Sequence, residues 1–283
     1  MKYLVLYNPL AHSNRGKEKA ETLKNILKDG MVEFADVTKE PYPDYIAALS
    51  ADDKIVLCGG DGTLNRFINK VNASEIKNDI LYYPTGSGND FYKDVCPEPS
   101  DKPVLINEYL KDLPCVTVNG NTSRFLNGIG YGIDGYCCEI GDIQRQKSDK
   151  PVNYASIAIK GLLFKYKPTD ATVTVDGKTY EYKHVWLAPT MNGRYYGGGM
   201  IPTPDQNRLG DGTLSVMVYH TPSKLKALMV FPKIFKGEHV KQTKVVEILK
   251  GKEITVQFNR PVALQIDGET VLNVRSCTMR AVK

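Results

Sequence analysis

The chain has 283 residues and a mass of 31.5 kDa, a length that allows one large domain or two ordinary ones. Hydrophobic residues make up 42% and charged residues 24%, which excludes wholesale disorder. The 37 Lys and Arg against 32 Asp and Glu leave a net charge of +5, which suits a phosphate-rich ligand or an anionic membrane surface but is too weak to argue for nucleic acid.

In chain order, Lys2–Tyr7 reads as a first strand and not as a signal peptide, because it lacks a long apolar core and a small-residue cleavage site. Arg15–Asp29 reads as a helix with Ala20, Leu23, Ile26 and Leu27 on one face. Val32–Val37 is a second strand and Pro43–Leu49 a short helix. Lys54–Cys58 is an apolar strand running into Gly59-Gly60-Asp61-Gly62-Thr63. Leu64, Phe67, Ile68 and Val71 then recur at helical spacing, and Ile80–Tyr83 is another strand. Alternating strands and helices imply a parallel sheet.

The rhythm then changes. Thr172–Val175, Tyr180–Val185, Leu214–Val218, Val245–Leu249, Ile254–Phe258 and Val262–Ile266 are β-rich, with Asp-Gly, Asn-Gly or Gly-Lys turn signals between several of them. Ile254, Val256 and Phe258 alternate with polar residues, as in a half-buried antiparallel strand. Helical stretches at Asn153–Tyr166 and Lys224–Lys236 interrupt this region. The expected organisation is an α/β domain over residues 1–118, completed by 275–283, and a mostly antiparallel domain over 119–274. No run approaches the length of a transmembrane helix. Six cysteines (58, 96, 115, 137, 138, 277) show no metal-ligand spacing and read as free thiols in a reducing cytoplasm.

The segment Gly59–Thr63 lies between a strand and a helix, at the carboxyl end of a parallel strand, where open α/β sheets bind ligands. Glycines admit phosphate to the backbone, and helix N-terminal amides favour anions. An Asp inside such a loop repels phosphate unless a cation lies between them, which suggests a Mg²⁺–nucleotide site with Asp61 near the metal. The competing reading is a tight turn with Asp61 as N-cap. Thr85-Gly86-Ser87-Gly88-Asn89-Asp90 is a second glycine-rich loop after a strand, offering Ser87 and Asn89 to phosphates and Asp90 as a second carboxylate. An ordinary loop with Asn89 or Asp90 capping a helix is its alternative.

In the β region, Gly197-Gly198-Gly199 implies close backbone approach, and Asp211 with nearby carbonyls is a candidate hard-cation site. Both also read as turns. Asp267-Gly268-Glu269 reads as a hairpin turn or as the carrier of a general-base carboxylate. Lys224–Lys241 mixes apolar and basic residues, as a membrane-surface element or as a core-facing helix with a solvated Lys face. The four histidines are scattered, and none has ligand spacing.

Together these segments resemble the diacylglycerol-kinase catalytic family, in its soluble bacterial lipid-kinase branch related to sphingosine kinases. The ordered set is Asn8-Pro9, Gly59–Thr63, Pro84–Phe91, Asn127–Asp134, Asn192, Gly197–Met200, Pro202, Asp211-Gly212, Gly237-Glu238-His239 and Asp267-Gly268-Glu269. The glycine loop alone is shared with NAD kinases. The resemblance implies a parallel-sheet α/β domain of NAD kinase and diacylglycerol kinase type, followed by a β-sandwich-like domain. It implies ATP at Asn8, Pro9, Thr38, Gly59, Gly60, Asp61, Gly62, Thr63, Asn65, Arg66, Ser87 and Asn89. It implies catalytic Mg²⁺ organised by Asp61 with Asp90, and Glu269 as general base. A structural Mg²⁺ would sit on Asp211 and the carbonyls of Arg208 and Thr213.

The implied reaction is transfer of the ATP γ-phosphoryl group to a lipid hydroxyl at a membrane surface, by a cytoplasmic, peripherally associating protein that forms a homodimer. Rival readings are an NAD kinase-like enzyme and a nucleotide- or lipid-binding regulator without turnover. Three positions depart from the family pattern: Ser87 for Thr, Pro204 for Ala, and His12 where Gly often follows Asn-Pro.

Overall fold

A computed structural model describes residues 1–11, 15–39, 42–148 and 152–282. His12, whose place in the first loop departs from the family pattern, lies outside the described residues. The chain divides into two units, Met1–Leu113 and Pro114–Lys283.

The first unit is a five-stranded sheet of β1 (Lys2–Tyr7), β2 (Met31–Asp36), β3 (Lys54–Gly59), β4 (Ile80–Pro84) and β5 (Val104–Leu105), in the order β2-β1-β3-β4-β5. The first four are parallel, and β5 adds an antiparallel edge. Helices α1 (Gly16–Glu21), α2 (Tyr42–Ala47), α3 (Asp61–Lys70) and α4 (Asp90–Val95) connect or follow the strands. β1 and β3 are fully apolar inside, as strands covered on both faces must be. The helix expected over Arg15–Asp29 stops early and continues as a 3₁₀ turn over Thr22–Asn25. There the Thr22 hydroxyl donates to the Lys19 carbonyl at 2.6 Å, a local bond that competes with the helical ladder.

The second unit is a ten-stranded sheet whose pairings are all antiparallel. Its strands are β6 (Cys115–Val118), β7 (Asn121–Arg124), β8 (Gly128–Tyr131), β9 (Thr169–Val175), β10 (Lys178–Leu187), β11 (Thr190–Met191), β12 (Leu214–His220), β13 (Val246–Gly251), β14 (Glu253–Ile266) and β15 (Glu269–Arg280). β14 is long because it turns a corner. Its first half pairs with β9, and its last residues pair with β8. The path β14-β8-β11-β12-β10-β9 therefore closes on itself, giving a sandwich-like barrel with no free edge along that circuit. Three hairpins close on Asn119-Gly120, Asp176-Gly177 and Asp267-Gly268, each with positive φ at both residues. These are the two-residue turns that such dipeptides favour.

The domain limits differ from the sequence expectation in two ways. Residues 115–118 form β6 and pair with Cys277–Arg280, so the boundary falls at Leu113–Pro114. For the same reason residues 275–280 belong to the second sheet and do not complete the first unit.

The barrel interior is filled by Val173, Val185, Val216, Val256, Leu264 and their neighbours, with Tyr131 and Phe258 stacked at 4.2 Å. A second core lies under α5 (Ile133–Lys147), α6 (Tyr154–Lys160) and α7 (Lys224–Val230), around Trp186 and Tyr219. The two helical stretches foreseen in this region each change character midway. Asn153 caps α6 through the Ser156 amide, and a π turn follows over Gly161–Lys165. Ser223 caps α7, and a 3₁₀ stretch over Phe231–Lys236, with Pro232 in its first turn, ends at Gly237 with φ +69°.

Phe258→Ala removes one ring of the buried stack and leaves a cavity. It should lower unfolding free energy by about 3–5 kcal/mol in a denaturant titration; a loss under about 1 kcal/mol would show that the barrel interior collapses around the gap.

Candidate functional site

The strand order of the first unit reverses between β1 and β3, so loops leaving their carboxyl ends border the crevice in which such sheets bind ligands. Asn8-Pro9 leaves β1, Gly60 leaves β3, and Thr85–Asn89 leaves β4. The sequence-predicted phosphate loops are thus at three adjacent strand ends.

The two glycine loops pack backbone to backbone. A Cβ on Gly60 would meet the Gly86 Cα at 3.0 Å, and a Cβ on Gly86 would meet the Gly60 Cα at 2.5 Å. The Thr85 amide donates to the Gly59 carbonyl at 2.8 Å. Gly59 is needed for a second reason, since a Cβ there would overlap the Thr63 side chain at 2.3 Å. Asn89 adopts φ +50°. Its amide oxygen accepts from the Gly86 N–H at 3.0 Å, and its amide nitrogen donates to the Gly86 carbonyl at 2.8 Å. Asn89 thereby shapes the loop, while Ser87 stays exposed.

Asp61 joins the loops. Its carboxylate oxygens accept from the Asp90 amide at 3.0 Å and the Phe91 amide at 2.8 Å, so it caps α4 from outside that helix. Asp90 is buried, and its carboxylate lies 3.6 Å from the Lys93 ammonium. Two carboxylates therefore meet at the ends of β3 and β4. Tyr82 underneath is fully buried and donates to the Gly59 carbonyl at 3.1 Å. Burial, then the charges of Asp61, Cys58 and Asp90, push its phenol well above the usual value and keep it a donor.

The other predicted nucleotide contacts are less gathered. The Asn8 side chain accepts from the Leu10 amide at 3.0 Å, closing an Asx turn at the end of β1. The Thr38 hydroxyl and amide both donate to Asp36. Thr63 is buried, whereas Gly62 and Arg66 are exposed and Asn65 is half-buried. Gly16 was not singled out from sequence, yet a Cβ there would stand 1.8 Å from the Asn8 carbonyl oxygen. Only glycine lets α1 start against the Asn8-Pro9 turn, and a lone glycine at a helix start carries no distinguishing pattern.

In the second unit, Asp267 and Gly268 form the β14–β15 turn, with φ +47° and +97°. The Asp267 carboxylate accepts from the amides of Leu126, Asn127 and Gly128 at 2.6, 2.8 and 3.0 Å. Arg208 reaches the same segment, donating to the Leu126 carbonyl at 3.0 Å and the Asn127 side chain at 3.1 Å. Glu269 follows the turn, exposed, and its carboxylate makes no hydrogen bond or ion pair among the described residues. Sequence reasoning also missed the buried pair Asp134 and Gln265, joined at 2.9 Å. Gly130 leaves room for them, because its Cβ would lie 1.7 Å from the Asp134 carboxylate.

Two of the candidate structural-metal residues, Asp211 and Thr213, have partners within the protein. The Asp211 carboxylate accepts from the Thr213 hydroxyl at 2.5 Å and pairs with Lys250 at 3.1 Å, and these two contacts hold it below its usual pKa. The Thr213 carbonyl accepts from Gln206 at 2.9 Å. Among the described residues no group of three or more His, Cys, Asp or Glu is placed to hold a metal. The triple glycine meets a conformational need, and at Gly197 close approach as well, since a Cβ there would stand 2.5 Å from the Met200 Cε. All three residues have positive φ, between +60° and +112°, in the turn that brings Tyr196 back to Met200.

An α/β unit with paired glycine loops at its strand ends, followed by an antiparallel sandwich-like unit, defines a two-domain kinase-like class. Comparison with known proteins gives the family. Residues 2–112 match the diacylglycerol kinase catalytic domain, and residues 127–279 match the YegS C-terminal NAD kinase beta sandwich-like domain. The chain belongs to this diacylglycerol kinase-like family. A Staphylococcus aureus (strain JH9) protein named as a "putative lipid kinase" is 27% identical over 227 residues, covering 78% of this chain and 72% of that protein. The Bacillus subtilis (strain 168) protein named "Putative lipid kinase YtlR" is 22% identical, covering 94% of this chain and 93% of its own. A crystal structure described as a "putative diacylglycerol kinase" from Bacillus anthracis str. Sterne superposes with a TM-score of 0.65 at 20% identity, covering 99% of this chain and 91% of that one. No helix among the described residues is long and apolar enough to cross a membrane.

Because Asp61 accepts two amide hydrogens, Asp61→Asn loses one acceptor as well as its charge. It should lower unfolding free energy by about 1–2 kcal/mol while leaving a cooperative transition, measurable by denaturant titration. An unchanged stability would show that the α4 amides find another partner.

Proposed function

We propose that the protein is an ATP- and Mg²⁺-dependent lipid kinase that transfers the γ-phosphoryl group to the hydroxyl of diacylglycerol or a similar lipid alcohol. One observation carries the reading. Gly60 and Gly86 stand back to back at adjacent strand ends, with Asp61 and Asp90 beside them. Bare backbone at a strand end suits a triphosphate, and two neighbouring carboxylates suit the cation that must accompany it. The family relationship and the names of the relatives support the acceptor class.

In this reading Asn8, Pro9, Thr38, the loop Gly59–Arg66, Ser87 and Asn89 form the nucleotide site. Asp61 and Asp90 would hold the catalytic Mg²⁺, which when bound neutralises charge on the phosphates. Glu269, exposed and unpaired, accepts the proton of the acceptor hydroxyl as the oxygen bonds to phosphorus and ADP departs. The second unit takes the lipid.

The segment Lys224–Lys236 supports membrane association. Ala227, Val230 and Ile234 are buried in the second core, while Leu225, Met229 and Phe235 face outward among lysines. The buried face fits the core-facing helix of the sequence reading, and the outward face is the one proposed here to meet the membrane. We take the protein to work peripherally on an anionic membrane from the cytoplasm, as a homodimer.

The first test is ATP turnover by the purified protein against mixed-micelle lipid alcohols, with NAD as a control acceptor. Turnover with a lipid and Mg²⁺, reduced at least 100-fold in Glu269→Gln with stability unchanged, is expected. Turnover with NAD alone would replace the lipid reading. Full turnover in Glu269→Gln would place the base elsewhere. In vesicle sedimentation, Leu225→Ser with Met229→Ser should reduce binding to anionic vesicles several-fold; equal binding would remove this face from the docking surface.

A further inference from the structure

The second unit contains a cavity of about 500 Å³ that none of the proposed catalytic or nucleotide-binding residues lines. Its wall carries three cationic side chains, Lys165, Lys167 and Arg260, and one carboxylate, Glu139. None of the four makes an ion pair among the described residues. Three cations against one carboxylate leave this concave site with an excess of positive charge, and an anionic ligand relieves the repulsion.

Arg260 is held in place before any ligand arrives. Its guanidinium carbon lies 5.6 Å from the centre of the Tyr166 ring, and one of its nitrogens donates to the Lys167 carbonyl. A fixed, planar guanidinium suits bidentate recognition of phosphate oxygens. The rest of the wall is largely apolar or aromatic, including Tyr136, Val262, Ala263 and the half-exposed Leu272. Charge and apolar surface in one cavity fit a phosphate borne by a hydrophobic body better than a free ion.

The backbone is built around this cavity. β14 and β15 pair regularly until Gln257 opposite Ser276, and regain register at Val262 opposite Val274. Between those points β14 has four residues to one on β15, and the excess carries Arg260 and Pro261. One step further β15 has the excess, at Leu272 and Asn273, and Asn273 adopts φ +58°. Two successive irregularities on facing strands both turn residues to the same cavity. Bulges redirect side chains at the cost of ladder bonds, and non-glycine residues with positive φ carry strain.

We propose that this cavity is a binding site for a lipid phosphate, with the phosphate monoester on Arg260, Lys165 and Lys167 and the chain against the apolar wall. It goes beyond phosphoryl transfer and requires none.

The test is isothermal titration of the full chain without nucleotide, using dihexanoyl phosphatidic acid below its micelle concentration, dihexanoylglycerol and inorganic phosphate. Arg260→Gln, and separately Lys165→Gln with Lys167→Gln, should each weaken phosphatidic acid binding roughly tenfold or more, leaving dihexanoylglycerol binding unchanged. Thermal melts check folding, and the lysine pair, being exposed, carries the test should Arg260→Gln unfold. Unchanged phosphatidic acid binding in a folded variant overturns the proposal, as does an equal loss for the neutral lipid. Inorganic phosphate binding as tightly as phosphatidic acid, with the same Arg260 dependence, overturns the lipid source. Since no ATP is present, failure here is separate from failure of the kinase reading.

Discussion

The contact on which the first unit's site depends is the Asp61 carboxylate across the amides of Asp90 and Phe91. It makes the loop after β3 and the loop after β4 one object. It adds to the Thr85–Gly59 backbone bond, which already joins the two strand ends, a tie from the first loop to the helix after the second. With it, the second loop is fixed at its helix, Asn89 folds the loop back on Gly86, and the two glycine α-carbons come within van der Waals contact. The interaction is cheap in residues because a carboxylate accepts two N–H bonds at once and meets the positive end of a helix.

The second unit uses the same device at a hairpin. Asp267 satisfies three successive amides of the segment 126–128, in addition to forming the turn itself. Asp134 is buried against Gln265, and Gln265 accepts from the Gly268 amide at 2.5 Å. Turn, preceding strand and start of α5 are therefore tied by carboxylates and one amide side chain. The residue left without such a duty is Glu269, immediately after the turn. The turn beneath it is fixed, while its own carboxylate has no partner among the described residues.

Legibility from sequence followed physical cause. The parallel strands were legible because burial on both faces demands continuous apolar runs, as in Val5, Leu6, Val56 and Leu57. The glycine loops were legible because close approach demands glycine in a dense cluster. α5 was not legible, although it is the longest helix among the described residues. It opens with Gly132 and Gly135, which read as loop, yet Gly135 is there because a Cβ would lie 2.0 Å from the Ala263 carbonyl oxygen. β7 was missed because Asn121–Arg124 has no apolar alternation; its hairpin turn and its partner β6 make it a strand. The end of the chain was assigned to the wrong unit because strand pairing over some 160 residues leaves no local trace. Within the candidate site, residue types were legible but duties were not: nothing local tells that Asn89 spends its side chain on Gly86, or that Asp211 faces Lys250.

That division of duties decides how loss of function in this fold should be read. A carboxylate in a motif can be present to build the backbone, to meet the ligand, or both. Asp61 has two amides to satisfy and a neighbouring carboxylate, so its substitution changes loop geometry and charge together. Glu269 has neither, so its substitution changes charge alone. Equal activity losses at the two positions would not carry equal meaning. A deficit at Glu269 with unchanged stability reports on the lost charge, whereas a deficit at Asp61 reports on chemistry only to the extent that it exceeds what the loosened α4 accounts for.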